Sequence, residues 1–283
     1  MTTRIVFFPF DLFGSGGTAA GARLLADAVR EMLADNRRER AATRARAYAR
    51  KVRVEEFSFD EMADYTDWRE RARRAIRAAL KRRDFLLWVS GNHLGVLPVY
   101  DELSAKSASG NPKSDVGDTL VVQFDAHLDI YNLSDCTSEL SHGNYLLHCA
   151  GPLPRLINVG HRELLLRPDY IGKYFQQAHA AADIAIDPSP ALKEVRAACD
   201  RAQGIFLDLD CDVLDPAYFP ATSHPMPFGL SPQTLLRFLD AAWSDKVTGL
   251  AISEFDPARD QGDRSLETLA WLVEYALLRR CEK

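Results

Sequence analysis

The stretch VVQFDAHLDIY, residues 121–131, decides how the rest of the chain is read. It opens as a short apolar run of the kind that forms a buried parallel strand. It then places Asp125, His127 and Asp129 within five positions. Buried charges are costly unless they are paired or hold a metal ion. A strand that ends this way therefore implies a site at its carboxyl end. Residues i and i+2 of an extended strand point to one side, so Asp125, His127 and Asp129 are expected to reach one site if the extended conformation persists.

The same pattern recurs along the chain. LLWVSGNH ends at His93, IFLDLDCDVLD supplies Asp208, Asp210, Asp212 and Asp215, and LAISEFD supplies Glu254 and Asp256. Further short strands are expected at 4–10 (RIVFFPF), 155–161 (RLINVGH) and 182–186 (ADIAI). Between them, GSGGTAAG at 14–21 reads as a turn that opens an amphipathic helix, because its glycine spacing fits neither a P-loop nor a dinucleotide fingerprint. Residues 36–83 are polar and expected to be mostly helical, 104–118 read as a loop placed to cover or rim the site, and SLETLAWLVEYALLRR closes the chain as a helix. Strands alternating with helices imply α/β architecture: one three-layer α/β/α domain over residues 1–283 with a mostly parallel central sheet. In open parallel sheets, sites form beyond the carboxyl ends of the strands, so the polar clusters should converge.

Bulk composition narrows the class. Hydrophobic residues make up 47% of the 283 and charged residues 27%, an ordinary globular balance. The net charge of −5 argues against a nucleic-acid or anionic-membrane partner. The basic run of Arg37, Arg38, Arg40, Arg44 and Arg46 reads as a solvated helix face. No window approaches the roughly 20 apolar residues of a membrane span, and MTTRIVFFPF is too short for a signal peptide. Five cysteines without CxxC spacing point to a reducing cytoplasm.

The clustered donors are nitrogen and oxygen, rich in carboxylates and without a required thiolate. That set suits Mn²⁺, Mg²⁺, Fe²⁺ or Zn²⁺, and the carboxylate excess favours Mn²⁺. An isolated DxH or DxD is ordinarily a cap, a turn or a surface ion pair. Ligand clusters at three strand ends of one chain are another matter. At least five carboxylates with two histidines carry too much negative charge for one divalent ion. Two ions sharing bridging carboxylates, about 3.5–4 Å apart, balance it better.

These residues resemble the ureohydrolase family, the arginases and agmatinases, over most of the chain. DAHLD at 125–129 matches the family's DAHxD as it stands. DCDVLDP at 210–216 resembles DxDxxDP, GNH at 91–93 is similar to GGDH, HG at 142–143 to the HG after the DAHxD loop, and EFDP at 254–257 to EVxP. The resemblance implies two Mn²⁺ per chain. One would be held by His93, Asp125, Asp129 and Asp210, the other by Asp125, His127, Asp210 and Asp212, with Asp125 and Asp210 bridging. It further implies a bridging hydroxide that attacks a guanidinium carbon to release urea or an analogue. His142 would serve in proton transfer to the leaving amine, Glu254 would hydrogen-bond the guanidinium, and Asp129 would complete the catalytic set. Trimers or hexamers are implied by the resemblance alone.

The chain departs from the family at four places. Asn92 replaces an aspartate that is not a ligand. Asp208 replaces a serine, as a carboxylate behind the ligands that orders a histidine or tunes metal choice. It also makes DLD and DCD overlapping candidates, of which Asp210 and Asp212 precede VLDP correctly. Tyr131 and Leu140 stand where arginases place asparagines that hold the substrate's α-amino acid end, with Ser138 retained. An apolar Leu140 cannot replace an amide, which argues against L-arginine. Tyr131 instead resembles the DAHxDxY of agmatinases and guanidino-acid hydrolases. The 104–118 loop is the fourth departure. His224 is a candidate substrate contact and His161 a pocket-edge residue, while His148 and His179 read as structural and Cys211 as packing behind the ligands. Rival readings are a metal-dependent amide deacylase or formimidoyl hydrolase on the same fold, and a non-catalytic binding relative. Metal content separates them.

Overall fold

A computed structural model of the chain describes residues 2–39, 43–108 and 119–282. Eight strands form among the described residues: β1 (Thr3–Phe8), β2 (Val52–Glu56), β3 (Phe85–Ser90), β4 (Thr119–Phe124), β5 (Arg155–His161), β6 (Gln177–Ala180), β7 (Gly204–Asp210) and β8 (Val247–Ser253). The helices are α1 (Thr18–Arg38), α2 (Met62–Thr66), α3 (Trp68–Lys81), α4 (Leu97–Ala108), α5 (Pro168–Ile171), α6 (Ala181–Ile186), α7 (Ser189–Arg201), α8 (Pro232–Ala242) and α9 (Arg264–Cys281). All eight strands join one sheet in the order β2-β1-β3-β8-β7-β4-β5-β6, and every pairing is parallel.

The period of two along each strand builds two apolar layers. On β1 and β3, Ile5, Phe7, Phe85, Leu87 and Val89 face a core shared with Leu25 and Val29 of α1 and with Leu269 and Val273 of α9. Their neighbours Val6, Phe8, Leu86 and Trp88 face the other way, against Trp68, Ala72 and Ile76 of α3 and Val99 and Leu103 of α4. β1, β3, β4 and β7 are buried along their whole length, as strands covered on both faces must be. The spacing Trp68, Ala72, Ile76, Ala79 is one helical stripe, and it is the buried stripe of α3. Ser231 caps α8 by accepting from the Thr234 amide at 3.1 Å, with Pro232 opening the first turn.

Three expectations from sequence are corrected. ADIAI is not a strand but lies in α6, whose Ala181 and Ile184 form a buried i, i+3 pair; the strand is the preceding QAHA. A short apolar run does not carry enough periods to separate the two. The polar segment 36–83 contains β2, an edge strand whose Arg53, Glu55 and Glu56 disguise it. Such charges suit an edge, and Arg4 of β1 reaches Glu55 at 2.6 Å. The extended path also stops early: β4 ends at Phe124 and β7 at Asp210, so Asp125 to Asp129 and Asp212 lie on turns. The 104–118 loop falls partly on α4 and otherwise outside the described residues. Among the described residues, no helix is long and apolar enough to cross a membrane.

One close approach fixes α1 against the carboxyl end of β8. A Cβ at Gly21 would stand 1.9 Å from the backbone oxygen of Phe255, which no side chain can tolerate. Gly21→Ala is expected to cost about 1–3 kcal/mol in urea unfolding through overpacking. Gly16→Ala, at a site with nothing within 4 Å, is expected to stay within about 0.5 kcal/mol of the parent. Equal stabilities for the two variants would contradict this packing.

Candidate metal centre

The sheet order explains why residues far apart in sequence meet. β3, β8, β7 and β4 are consecutive neighbours at the middle of the sheet. At about 4.8 Å per strand, their carboxyl ends lie within roughly 14 Å. His93 follows β3 on a short 3₁₀ turn, Asp125 follows β4 directly, Asp210 is the last residue of β7, Asp212 lies on the turn beyond it, and Glu254 follows β8. Two of the polar residues adopt left-handed backbone, Asp129 at φ 49° and Glu254 at φ 64°. Non-glycine residues held there cost of order 1–3 kcal/mol and cluster at functional sites. The turn at Asp129 does what a continuing strand cannot: it brings a second carboxylate of the DAHLD loop to the same histidine.

Two donor triads result, His93–Asp125–Asp129 and Asp125–His127–Asp212, and they share Asp125. His93 Nδ1 lies 3.2 Å from Asp125 Oδ2, 2.9 Å from Asp129 Oδ2 and 3.2 Å from Asp210 Oδ2. None of these approaches is aligned as a hydrogen bond. His93 Nδ1 and Asp125 Oδ2 are both buried without a hydrogen-bond partner. An imidazole nitrogen facing three carboxylate oxygens, with the polar atoms left orphaned, is a donor set shaped for a cation rather than for itself. In the second triad His127 Nδ1 stands 2.8 Å from Asp212 Oδ2 and 3.9 Å from Asp125 Oδ1. The turns are held from inside the cluster: the His127 amide donates to Asp125 Oδ1, the Asp212 amide to Asp210 Oδ1, and the Ala126 amide to Asp212 Oδ1.

Electrostatics carries the same demand. Burial, and then the Asp129 charge, push Asp125 up to about 7. Burial and Asp212 push Asp210 well above the carboxylate range. Burial works against a charged His127, but the Asp212 carboxylate outweighs it and raises the imidazole to about 10; the same pairing overcomes burial at Asp212 and holds it at about 2. The upward shifts of Asp125 and Asp210 come from burial and from the repulsion of neighbouring carboxylates, which a bound cation would relieve.

The cluster opens on a cavity of about 200 Å³. His93, His127, Asp129, Asp210 and Asp212 form its floor, and Tyr131, His142, His224 and Glu254 also line it. Glu254 Oε1 accepts from the His93 amide at 2.9 Å and lies 3.6 Å from His142 Nδ1. Burial opposes a charged His142, yet the hydrogen bond to Glu254 raises it. His224, 5.4 Å from the His142 ring, is lowered by burial and by that neighbour. The glycine-rich turn after β1 contributes too: the His142 amide donates to Phe13 O, and Ser15 Oγ lies 3.4 Å from His142 Nδ1.

Other candidates fall elsewhere. Ser138 is exposed, and Leu140 packs half-buried on the α3–α4 apolar layer; neither lines the cavity, because an apolar side chain follows its core. His161 is buried and accepts from the Glu163 amide through Nδ1, away from the lining. Asp215 and Asp256 cap loops, accepting from the Ala217 and Gly229 amides and from the Ala258 amide. Asn92 Nδ2 donates to Leu12 O, and Cys211 is fully buried in the α1–α9 layer. Asp208 lies behind the His93 ring, its Oδ2 3.1 Å from Nε2. Tyr100 and Tyr145 also touch this back face and were not singled out by sequence. Their only signal was that a buried tyrosine hydroxyl needs a partner.

A sequence model described as the arginase family matches residues 2–278. The formimidoylglutamase of Halobacterium salinarum is 30% identical over 190 residues, 64% of this chain and 61% of that protein. The agmatinase of Proteus mirabilis is 29% identical over 212 residues, 73% of this chain and 62% of that protein. The chain spans about half to three-fifths of the length of the curated relatives it matches. The crystal structure of arginase from Bacillus subtilis superposes with a TM-score of 0.76 at 19% identity, covering 100% of this chain and 99% of that one, a likeness of fold. With the family match running almost end to end over the donor strands, the chain belongs to the arginase family.

Proposed function

We propose that the protein is a binuclear, manganese-dependent hydrolase of a linear guanidino or amidino C–N bond that releases urea or an analogue. The observation that carries this reading is the pair of donor triads sharing Asp125 across the cavity from Glu254 and His142. His93, Asp125, Asp129 and Asp210 would hold one ion, and Asp125, His127, Asp210 and Asp212 the other. When bound, such ions supply a water-derived nucleophile at neutral pH and offset the carboxylate charge.

The chain's own groups supply the rest. Glu254 offers a guanidinium a planar, charge-complementary partner, and its Oε1 is fixed by the His93 amide. His142 directs Nδ1 towards Glu254 and Ser15, which leaves Nε2 to pass a proton to the nitrogen of the leaving amine as the C–N bond breaks. Tyr131 and His224, on the cavity wall, would contact the substrate beyond the guanidinium. The positions of Ser138 and Leu140 outside the cavity weigh against recognition of an α-amino acid end, and so against L-arginine; agmatine or a guanidino acid fits better. The formimidoylglutamase relative favours formimidoyl hydrolysis as the second reading. Five free cysteines fit a reducing cytoplasm, and a homo-oligomer is part of the reading.

Urea release by the Mn²⁺-loaded protein is expected from one linear guanidino compound in a panel of arginine, agmatine, guanidinobutyrate, guanidinopropionate and guanidinoacetate, with arginine among the poorest. Formamide release from a formimidoyl amino acid, with no urea from the panel, would favour the second reading. Two bound ions without turnover of either class would leave a binding relative. Asp125→Asn is expected to abolish both metal content, by elemental analysis, and hydrolysis; retention of both would contradict the shared-ligand geometry. His142→Ala is expected to lower kcat about 10²- to 10⁴-fold with metal content unchanged.

A further inference from the structure

A row of residues that no turnover step uses runs across the sheet one level beneath the donors. Asp208 of β7, Gln123 of β4 and Asn158 of β5 are register partners on three adjacent strands. All three are fully buried, as are Tyr100 and Tyr145, which lie beside them. Tyr100 donates to Asp208 Oδ2 at 2.7 Å. The same oxygen lies 3.1 Å from His93 Nε2, and the Tyr145 hydroxyl lies 3.1 Å from that nitrogen. Gln123 Nε2 is 3.4 Å from the Tyr145 hydroxyl, and Asn158 Nδ2 is 3.3 Å from Gln123 Oε1. Asn158 Nδ2 also reaches the backbone oxygens of Asp125, at 3.4 Å, and His127, at 3.2 Å. The row therefore ties the back of His93 to the backbone of the DAHLD loop.

We propose that Asp208, braced by Tyr100, is the positioning residue that makes His93 a ligand through Nδ1. The proposal rests on the reading of His93 as a metal donor. A neutral imidazole carries one N–H. With Nε2–H donated to Asp208, the Nδ1 lone pair faces Asp125, Asp129 and Asp210. A hydroxyl or amide would serve to hold a ring in place. A carboxylate is harder to explain as packing, because only its Oδ2 is partnered and Asp208 Oδ1 is buried without a hydrogen bond, and a buried polar group left unsatisfied costs stability. A cation on the far side of the imidazole supplies the compensation: it polarises Nε2–H towards Asp208, and Asp208 in turn raises the basicity of Nδ1. Asp208, Tyr100 and Tyr145 thus serve the ion bound at His93, while only Asn158, at the far end of the row, touches the loop that carries His127.

Mn²⁺ titrations followed by the EPR signal of the free ion test this, on wild type, Asp208→Leu, Asp208→Asn and Tyr100→Phe. Asp208→Leu is expected to weaken one of the two ions about 10- to 100-fold and leave the other unchanged. Asp208→Asn keeps an acceptor for Nε2–H but not the charge, and is expected to fall between Asp208→Leu and wild type. Tyr100→Phe is expected to weaken the same ion a few-fold, and it decides the matter if Asp208→Leu does not fold. Unchanged isotherms, or equal weakening of both ions, would overturn the positioning role while the two-ion reading stands. A wild-type protein that binds no Mn²⁺ would remove both.

Discussion

The constraint on which the structure depends is the crowding of carboxylates around His93. Asp125, Asp129 and Asp210 each bring an oxygen within 3.2 Å of one imidazole nitrogen, in a place where every participant is buried. Little of this charge is exposed, and among the described residues the cavity lining holds no lysine or arginine to offset it. The nearby Arg162 spends its guanidinium on the backbone oxygens of Gly160, Asp212, Leu214 and Met226, bracing the loops that carry the donors. Cations from outside are what such an arrangement is built to receive.

The sheet order turns that constraint into geometry. Because β7 and β8 are inserted between β3 and β4, four polar strand ends become neighbours at the centre of the sheet, where helices cover both faces. The sheet supplies rigidity, and the turns supply aim. Left-handed backbone at Asp129 and Glu254 directs one carboxylate down to His93 and another across to His142. Strain of this kind persists only where the surroundings overdetermine it. Here, Glu254 is held by its own amide on Gly91 O and by the His93 amide on its carboxylate.

The sequence was legible where one physical rule dominates. An apolar run that turns acidic marks a buried strand reaching a site, and this identified β3, β4, β7 and β8 with the donors they carry. Rules that depend on extent failed. ADIAI was too short to reveal its period, and the i, i+2 argument for Asp125, His127 and Asp129 assumed a strand that stops at Phe124. Asp125 and Asp129 meet at His93 through a turn, and His127 meets Asp125 in the second triad, beside Asp212. Leu140 was placed by counting from a loop, whereas its apolar side chain follows the core. Tyr100 and Tyr145 were invisible because their partners, Asp208 and His93, are long-range neighbours that only the fold supplies.

The central claim is that two cations share Asp125, one beside His93 and one beside His127. The most direct test is an anomalous difference map collected at the manganese edge from crystals of the Mn²⁺-loaded protein. Two peaks about 3.5–4 Å apart, with Asp125 between them, are the expected result. A single peak, or peaks away from this cluster, would contradict the claim.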